Sequence, residues 1–110
     1  LIIFLFPFYI LVAPSYAFSP SSQTIYEGID VSAYQGDIDF NLVKEAGIDI
    51  VYIKSSEGSG FVDPYFEQNY QNAKNAGLSV GFYHYVTARS VEEAVSQANF
   101  FAKTISRKTA

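Results

Sequence analysis

Three times in succession the sequence sets a short β-branched or aromatic run ahead of a segment with helical periodicity, and the first two of those helical segments stop at a glycine. Gly28–Val31 precedes a helix expected over about Phe40–Ala46 and ended by Gly47. Ile48–Lys54 precedes a helix that starts at Asp63-Pro64 and ends at Gly77, and Leu78–Val86 precedes one that starts at Ser90. Runs of strand separated by whole helices cannot pair as hairpins. They form a parallel sheet with right-handed helical crossovers, so the chain is read as α/β with the order βαβαβα.

The local signals agree with that order. Asp39 is placed to cap the first helix, and Asp63-Pro64 puts an N-cap before a proline whose missing N–H costs nothing at a first helical position. Tyr65, Phe66, Tyr70 and Ala73 share one face of the second helix. In the third, Ser90 and Glu93 have the spacing of a capping box, and Val91, Ala94, Val95, Ala98, Ala102 and Ile105 recur at helical spacing as its apolar stripe. Ser55–Val62 is expected to be a loop carrying Glu57 between small residues. Three βα units do not close a barrel, which takes roughly 200 residues or more, so the reading is an N-terminal part of a larger (β/α) fold, with the third strand left as an open edge and apolar surface exposed beside it.

The first part of the chain is different. No charged residue occurs before Glu27, and Leu1–Val12 is almost wholly aliphatic or aromatic, but Pro7 and Pro14 interrupt it and it falls short of the ~20 residues a membrane span requires. It has the form of a secretory signal peptide, with small residues in Ser15-Tyr16-Ala17 for cleavage after Ala17. Because the basic n-region is missing and the sequence has no Met, that leader, residues 1–17, is read as incomplete at its N-terminus; an uncleaved anchor is the alternative. Residues 18–25 are then a Ser/Pro/Gln-rich linker and 26–110 the folded part. Secretion, with no stable membrane span after cleavage, is the expected localisation.

Charge and cysteine usage remove several function classes. The balance of 7 Lys+Arg against 11 Asp+Glu gives a formal −4, with no basic stripe to neutralise phosphates, so nucleic acid is not an expected partner. With no Cys and one His, neither disulfides nor a protein-built zinc site is expected, and no cofactor is called for. Gly58-Ser59-Gly60 lacks the third glycine of a dinucleotide loop, since position 63 is Asp. There is no Walker loop, nucleophile elbow or HExxH. Lys54 stands where a Schiff-base lysine could be placed, but nothing in the sequence indicates a depressed pKa.

In parallel α/β folds chemistry gathers at the carboxyl ends of the strands. Asp30, Glu57 and Tyr83-His84-Tyr85 all map there. A carboxylate among apolar strand residues is costly unless solvated or paired, whereas Asp37 and Asp39 read as turn and cap aspartates. Two carboxylates and several tyrosines in an open groove suit a sugar, the carboxylates for acid/base work and the rings for stacking. The plainer alternatives are tyrosines at the edge of the core and a satisfied, buried His84.

Gly28-Ile29-Asp30-Val31-Ser32, with Gln35-Gly36 and Ile38-Asp39-Phe40, resembles the opening of the glycoside hydrolase family 25 muramidases, secreted lysozymes that cut bacterial peptidoglycan. The resemblance continues through Lys54-Ser55-Ser56-Glu57-Gly58, Asp63-Pro64 with Phe66 and Asn69, Ala76-Gly77-Leu78, and Val80-Gly81-Phe82-Tyr83-His84-Tyr85, spanning about Ile29 to Ala102 in order and spacing. It implies a modified (β/α) TIM-like barrel, here truncated to its N-terminal half, that hydrolyses the β-1,4 bond between N-acetylmuramic acid and N-acetylglucosamine without metal or cofactor, as a monomer when complete. It implies Asp30 as a catalytic aspartate that orients the substrate or stabilises charge beside the acetamido group. Glu57, Tyr83, Tyr85, Gln35 and Lys54 are the implied substrate-binding residues, and peptidoglycan glycan strands the partner. The family's general acid is a Glu in an Asp-x-Glu motif on the fourth strand. No Asp-x-Glu occurs in this sequence, and Glu92-Glu93 belongs to the third helix, so the fragment itself is expected to be inactive. A catalytically inactive glycan-binding module is the competing reading, and a flavodoxin-like domain a weaker one, because Ser32–Gly36 makes a poor anion loop.

Overall fold

The computed structural model describes residues 24–110. The expected leader, 1–17, and nearly all of the expected linker lie outside those residues. The elements run β1 (Gly28–Val31), a 3₁₀ turn (Ala33–Gln35), α1 (Phe40–Glu45), β2 (Ile50–Glu57), β3 (Phe61–Val62), α2 (Phe66–Asn75), β4 (Ser79–Tyr85) and α3 (Val91–Ile105). The long β2 is central, parallel to β1 on one side and to β4 on the other, so the alternating pattern has produced the parallel sheet it requires. Across the sheet, Asp30 pairs with Tyr52 and Tyr52 with Gly81.

One face of the sheet is covered by helices. Val31, Val51, Ile53 and Val80 point into a core completed by Phe40, Phe66, Tyr70, Ala73 and Leu78, and Phe82 meets Phe66 edge-on with ring centroids 5.8 Å apart. Because strand side chains alternate, Asp30, Tyr52, Lys54 and Tyr83 occupy the opposite, open face.

The helix ends follow from local chemistry. Asp39 Oδ1 accepts the N–H groups of Asn41 and Leu42, as its position predicts, and α1 and α2 are each followed by a glycine at positive φ, Gly47 at 91° and Gly77 at 81°, a conformation other residues adopt only with strain. Ser90 Oγ accepts Glu93 N–H, but the Glu93 carboxylate reaches past Ser90 to the N–H of Arg89, so the capping box is only half formed.

Two expectations need correction. Ser55–Val62 is not a loop: β2 continues through Glu57, and Phe61–Val62 folds back antiparallel on Ser56–Glu57, leaving only residues 58–60 as the turn. The second helix begins at Phe66, and Asp63 stands ahead of it, its Oδ1 accepting Tyr65 N–H. α3 forms where expected; of its apolar stripe, Val91, Ala94, Val95, Ala98 and Ala102 are exposed, with Val91 80% accessible, while Ile105 packs against the core. The face turned to the sheet is instead Gln97, Phe101 and Ile105, spaced four apart. Gln97 can be buried because His84 and Thr87 satisfy its amide, and two aromatic rings beside it bury more surface than a row of alanines.

Candidate functional site

β1 delivers Asp30 one residue before the strand ends, exposed on the open face. Its neighbour across the ladder is Tyr52, whose ring is half exposed and lies over Gly81 on the next strand. Tyr83, one pleat further along β4, leans in from the same face. Asp30, Tyr52 and Tyr83, with Gly28 and Ile29, line an open cavity of about 570 Å³. Burial pushes the Tyr83 phenol above its ordinary value of 10.0, and the negative charges of Asp30 and Asp63 push it further the same way, against an opposing effect of the Ser32 side chain. Tyr83 is therefore a neutral hydrogen-bond donor beside a carboxylate.

Above this cavity lies a second cluster. Lys54 Nζ is 3.5 Å from Glu57 Oε2 and sits 5.5 Å from the centre of the Tyr85 ring and 6.0 Å from that of Phe61, a cation held between a carboxylate and two aromatic faces. Lys54 and Glu57 are three residues apart in one strand, so regular alternation would turn them to opposite faces. The register resolves this: Lys54 pairs with Tyr83 but Ser56 with His84, so Ser55 is an extra residue, a β-bulge. Ser55 and Ser56 both turn inward, each fully buried, and Glu57 returns to the groove face.

The expected site residues thus fall into groups. Asp30 and Tyr83 share one cavity. Lys54, Glu57 and Tyr85 form the cluster above it, on the same face and at the same end of the sheet, with Glu57 roughly 15 Å further along β2 than the level of Asp30. Gln35 stands apart: its side-chain oxygen accepts Ser32 N–H at 2.7 Å and the Ser32 hydroxyl at 3.3 Å, closing the 3₁₀ turn that follows Asp30. His84 lies behind the sheet, against Phe100 and Phe101 and bonded to Ser56 and Gln97, satisfied as in the plainer alternative but only partly buried.

Two residues of the site were not singled out from the sequence. Tyr52 forms the cavity floor, and its even spacing from Lys54 was the available signal. Asp63, 3% accessible, accepts Ala33 N–H through Oδ2 and Tyr65 N–H through Oδ1; it ties the turn after Asp30 to the start of α2. No local pattern shows that its carboxylate spans two loops.

Parallel strands whose carboxyl ends carry carboxylates, a lysine and tyrosines around an open groove are the arrangement of a (β/α) glycoside hydrolase. The model of Glycosyl hydrolases family 25 matches residues 29–110, and the chain belongs to that family. It is similar to the autolytic lysozyme of Clostridium acetobutylicum, 48% identical over 80 residues, which are 73% of this chain and 24% of that protein. It is also similar to lysozyme M1 of Streptomyces globisporus, 41% identical over 83 residues, 76% of this chain and 28% of that one. Among solved structures, the bacterial lysozyme of Streptomyces coelicolor superposes with a TM-score of 0.65 at 42% identity, over 74% of this chain and 37% of that one. The chain therefore spans about a quarter of the length of the Clostridium acetobutylicum and Streptomyces globisporus lysozymes.

Proposed function

We propose that the protein to which these residues belong is a secreted N-acetylmuramidase that hydrolyses the β-1,4 bond between N-acetylmuramic acid and N-acetylglucosamine in peptidoglycan, and that residues 26–110 supply the N-terminal half of its barrel. The observation that carries the reading is the family match over residues 29–110, which includes Asp30 in its groove of tyrosines. In this reading Asp30 is the catalytic carboxylate that orients the acetamido group or stabilises developing positive charge at the sugar. Glu57, Lys54, Tyr83 and Tyr85 hold the glycan along the open face, and Gln35 acts by shaping the turn beside Asp30. The general acid is a Glu of an Asp-x-Glu motif outside this sequence, so residues 1–110 alone bind glycan without cleaving it.

Reduction of digestion products with borohydride tests the reaction. The full-length protein is incubated with purified cell walls and the new reducing ends are reduced: a muramidase yields muramitol, a glucosaminidase yields glucosaminitol. Muramitol from the full-length protein and none from the 110-residue chain is the expected result. Co-sedimentation of the full-length protein with walls and no new reducing end would instead establish a glycan-binding module.

A further inference from the structure

We propose that His84 is a positioning residue which, from behind the sheet and through Ser56, holds the β-bulge that turns Glu57 into the groove; its connection to substrate rests on the reading of that groove as a glycan site. The bulge is an interruption of the ladder, and without support the strand would regain a bond by sliding into register. Its two inward residues are both serines, and a buried hydroxyl with no partner carries a desolvation cost. Each has a partner. Ser56 Oγ lies 2.8 Å from His84 Nδ1, Ser55 Oγ donates to the Tyr83 carbonyl at 3.1 Å, and the two hydroxyl oxygens are 3.0 Å apart.

The histidine is itself fixed from the far side. Gln97 Oε1 accepts Thr87 N–H at 2.9 Å while Gln97 Nε2 donates to Thr87 Oγ1 at 3.1 Å, which settles which end of the amide faces the imidazole. His84 Nε2, 3.4 Å from that oxygen, carries the hydrogen. In the neutral ring Nδ1 is then an acceptor aimed at the Ser56 hydroxyl. Phe100 and Phe101 pack beside the imidazole, their ring centres at 6.4 and 5.8 Å. A line of hydrogen bonds therefore runs from α3 through the sheet to the residue immediately before Glu57. Sliding the bulge out would turn Ser56 away from His84 and carry the Glu57 carboxylate toward the core, where nothing pairs it.

Three variants and two measurements test this. His84→Phe keeps a ring of similar size between Phe100 and Phe101 and removes both hydrogen bonds; Ser56→Ala cuts the same line with little change in volume, and His84→Gln restores a polar partner. The first measurement is made on the full-length protein and does not depend on what the groove binds: the ¹³C signal of the Glu57 carboxylate is followed with and without Lys54→Ala. In the parent chain and in His84→Gln the signal should respond to loss of the lysine. In Ser56→Ala and His84→Phe that response should vanish while the circular dichroism of the fold is retained. The second measurement titrates the full-length protein with the soluble disaccharide N-acetylglucosaminyl-β-1,4-N-acetylmuramic acid, whose bond the proposed activity does not cleave. Affinity should fall roughly tenfold in Ser56→Ala, and adding Glu57→Gln should cost nothing more, because the carboxylate is already misplaced. If His84→Phe does not fold, Ser56→Ala decides alone. A folded Ser56→Ala chain that keeps the Lys54–Glu57 response overturns the proposal. If the full-length parent does not bind the disaccharide, the glycan reading of the groove fails, while the carboxylate measurement still decides the role of His84.

Discussion

The ring of Tyr52 occupies the space in which a side chain on Gly81 would stand: a Cβ built on Gly81 comes within 2.6 Å of Tyr52 Cδ1 and Cε1. These residues face each other across β2 and β4, and the missing side chain lets the ring lie down on the sheet as the floor beneath Asp30. Glycine in a strand interior is otherwise unfavourable, so the pair exchanges strand propensity for a flat aromatic surface.

Gly81→Ala should therefore displace the Tyr52 ring and destabilise the fold by about 1–3 kcal/mol, the range of overpacking. In a Tyr52→Ala background the same change should be neutral or stabilising by about 0.4–1 kcal/mol, because only the lower entropy of the unfolded chain remains. Urea unfolding of the four proteins checks the reversal of sign, and equal costs in both backgrounds would disprove the contact.

Asp63→Asn should cost about 1–3 kcal/mol, because one of the two part-buried N–H groups, Ala33 or Tyr65, loses its acceptor when half the carboxylate becomes a donor. The damage should be local. Hydrogen exchange at Ala33 should accelerate while amides in the middle of β2 keep their protection.

The alkaline limb of stability should carry the signature of Tyr83. Its folded-state pKa lies above the unfolded value, chiefly through burial and secondly through Asp30. Between those two values the folded chain binds the proton that the unfolded chain has released, so stability falls as pH rises above about 10. Tyr83→Phe should flatten that fall. Asp30→Asn should flatten it only in part, since burial, the larger cause, remains. Tyr70 acts in the opposite sense, its phenol drawn down first by the Thr109 hydroxyl, and Tyr70→Phe should leave the Tyr83 effect in place. Denaturant unfolding at a series of alkaline pH values separates the two.

What could be read from the sequence was what short-range chemistry controls. Asp39 caps α1 and glycines end α1 and α2 because those signals act within a few residues, and the parallel sheet follows from the order of elements. The placement of Asp30 and Tyr83 on one face also follows, from simple alternation along each strand. Alternation alone would have turned Glu57 away from Lys54. The bulge that turns it back depends on partners far along the chain, Tyr83 and His84, and Ser55-Ser56 shows no local sign of them. The burial of Gln97 in α3 was not legible for a similar reason: the Val/Ala stripe has the right period for a core face, whereas Gln97 acquires its partners from β4 and the segment after it. Asp63 appeared to be a helix cap, and half of its carboxylate does that work; the half that holds Ala33 has no signature within its own segment.

Asp30→Asn in the full-length protein should leave the fold intact and reduce peptidoglycan hydrolysis by about 10²-fold or more. Asn is nearly isosteric with Asp, and Asp30 is exposed on the open face, so the substitution buries no unpaired group and disturbs no core contact. What it removes is the negative charge beside Tyr52 and Tyr83. If that charge stabilises an oxocarbenium-like transition state or orients the acetamido group, its loss is felt more in the transition state than in the bound substrate, and kcat should fall more than KM rises. A hundredfold loss corresponds to roughly 2.7 kcal/mol, within the range that removal of a single electrostatic stabiliser produces. Turbidity clearing of bacterial cell walls, with circular dichroism to establish the fold, measures the effect. Full activity from Asp30→Asn would remove Asp30 from the catalytic role and leave it a groove residue.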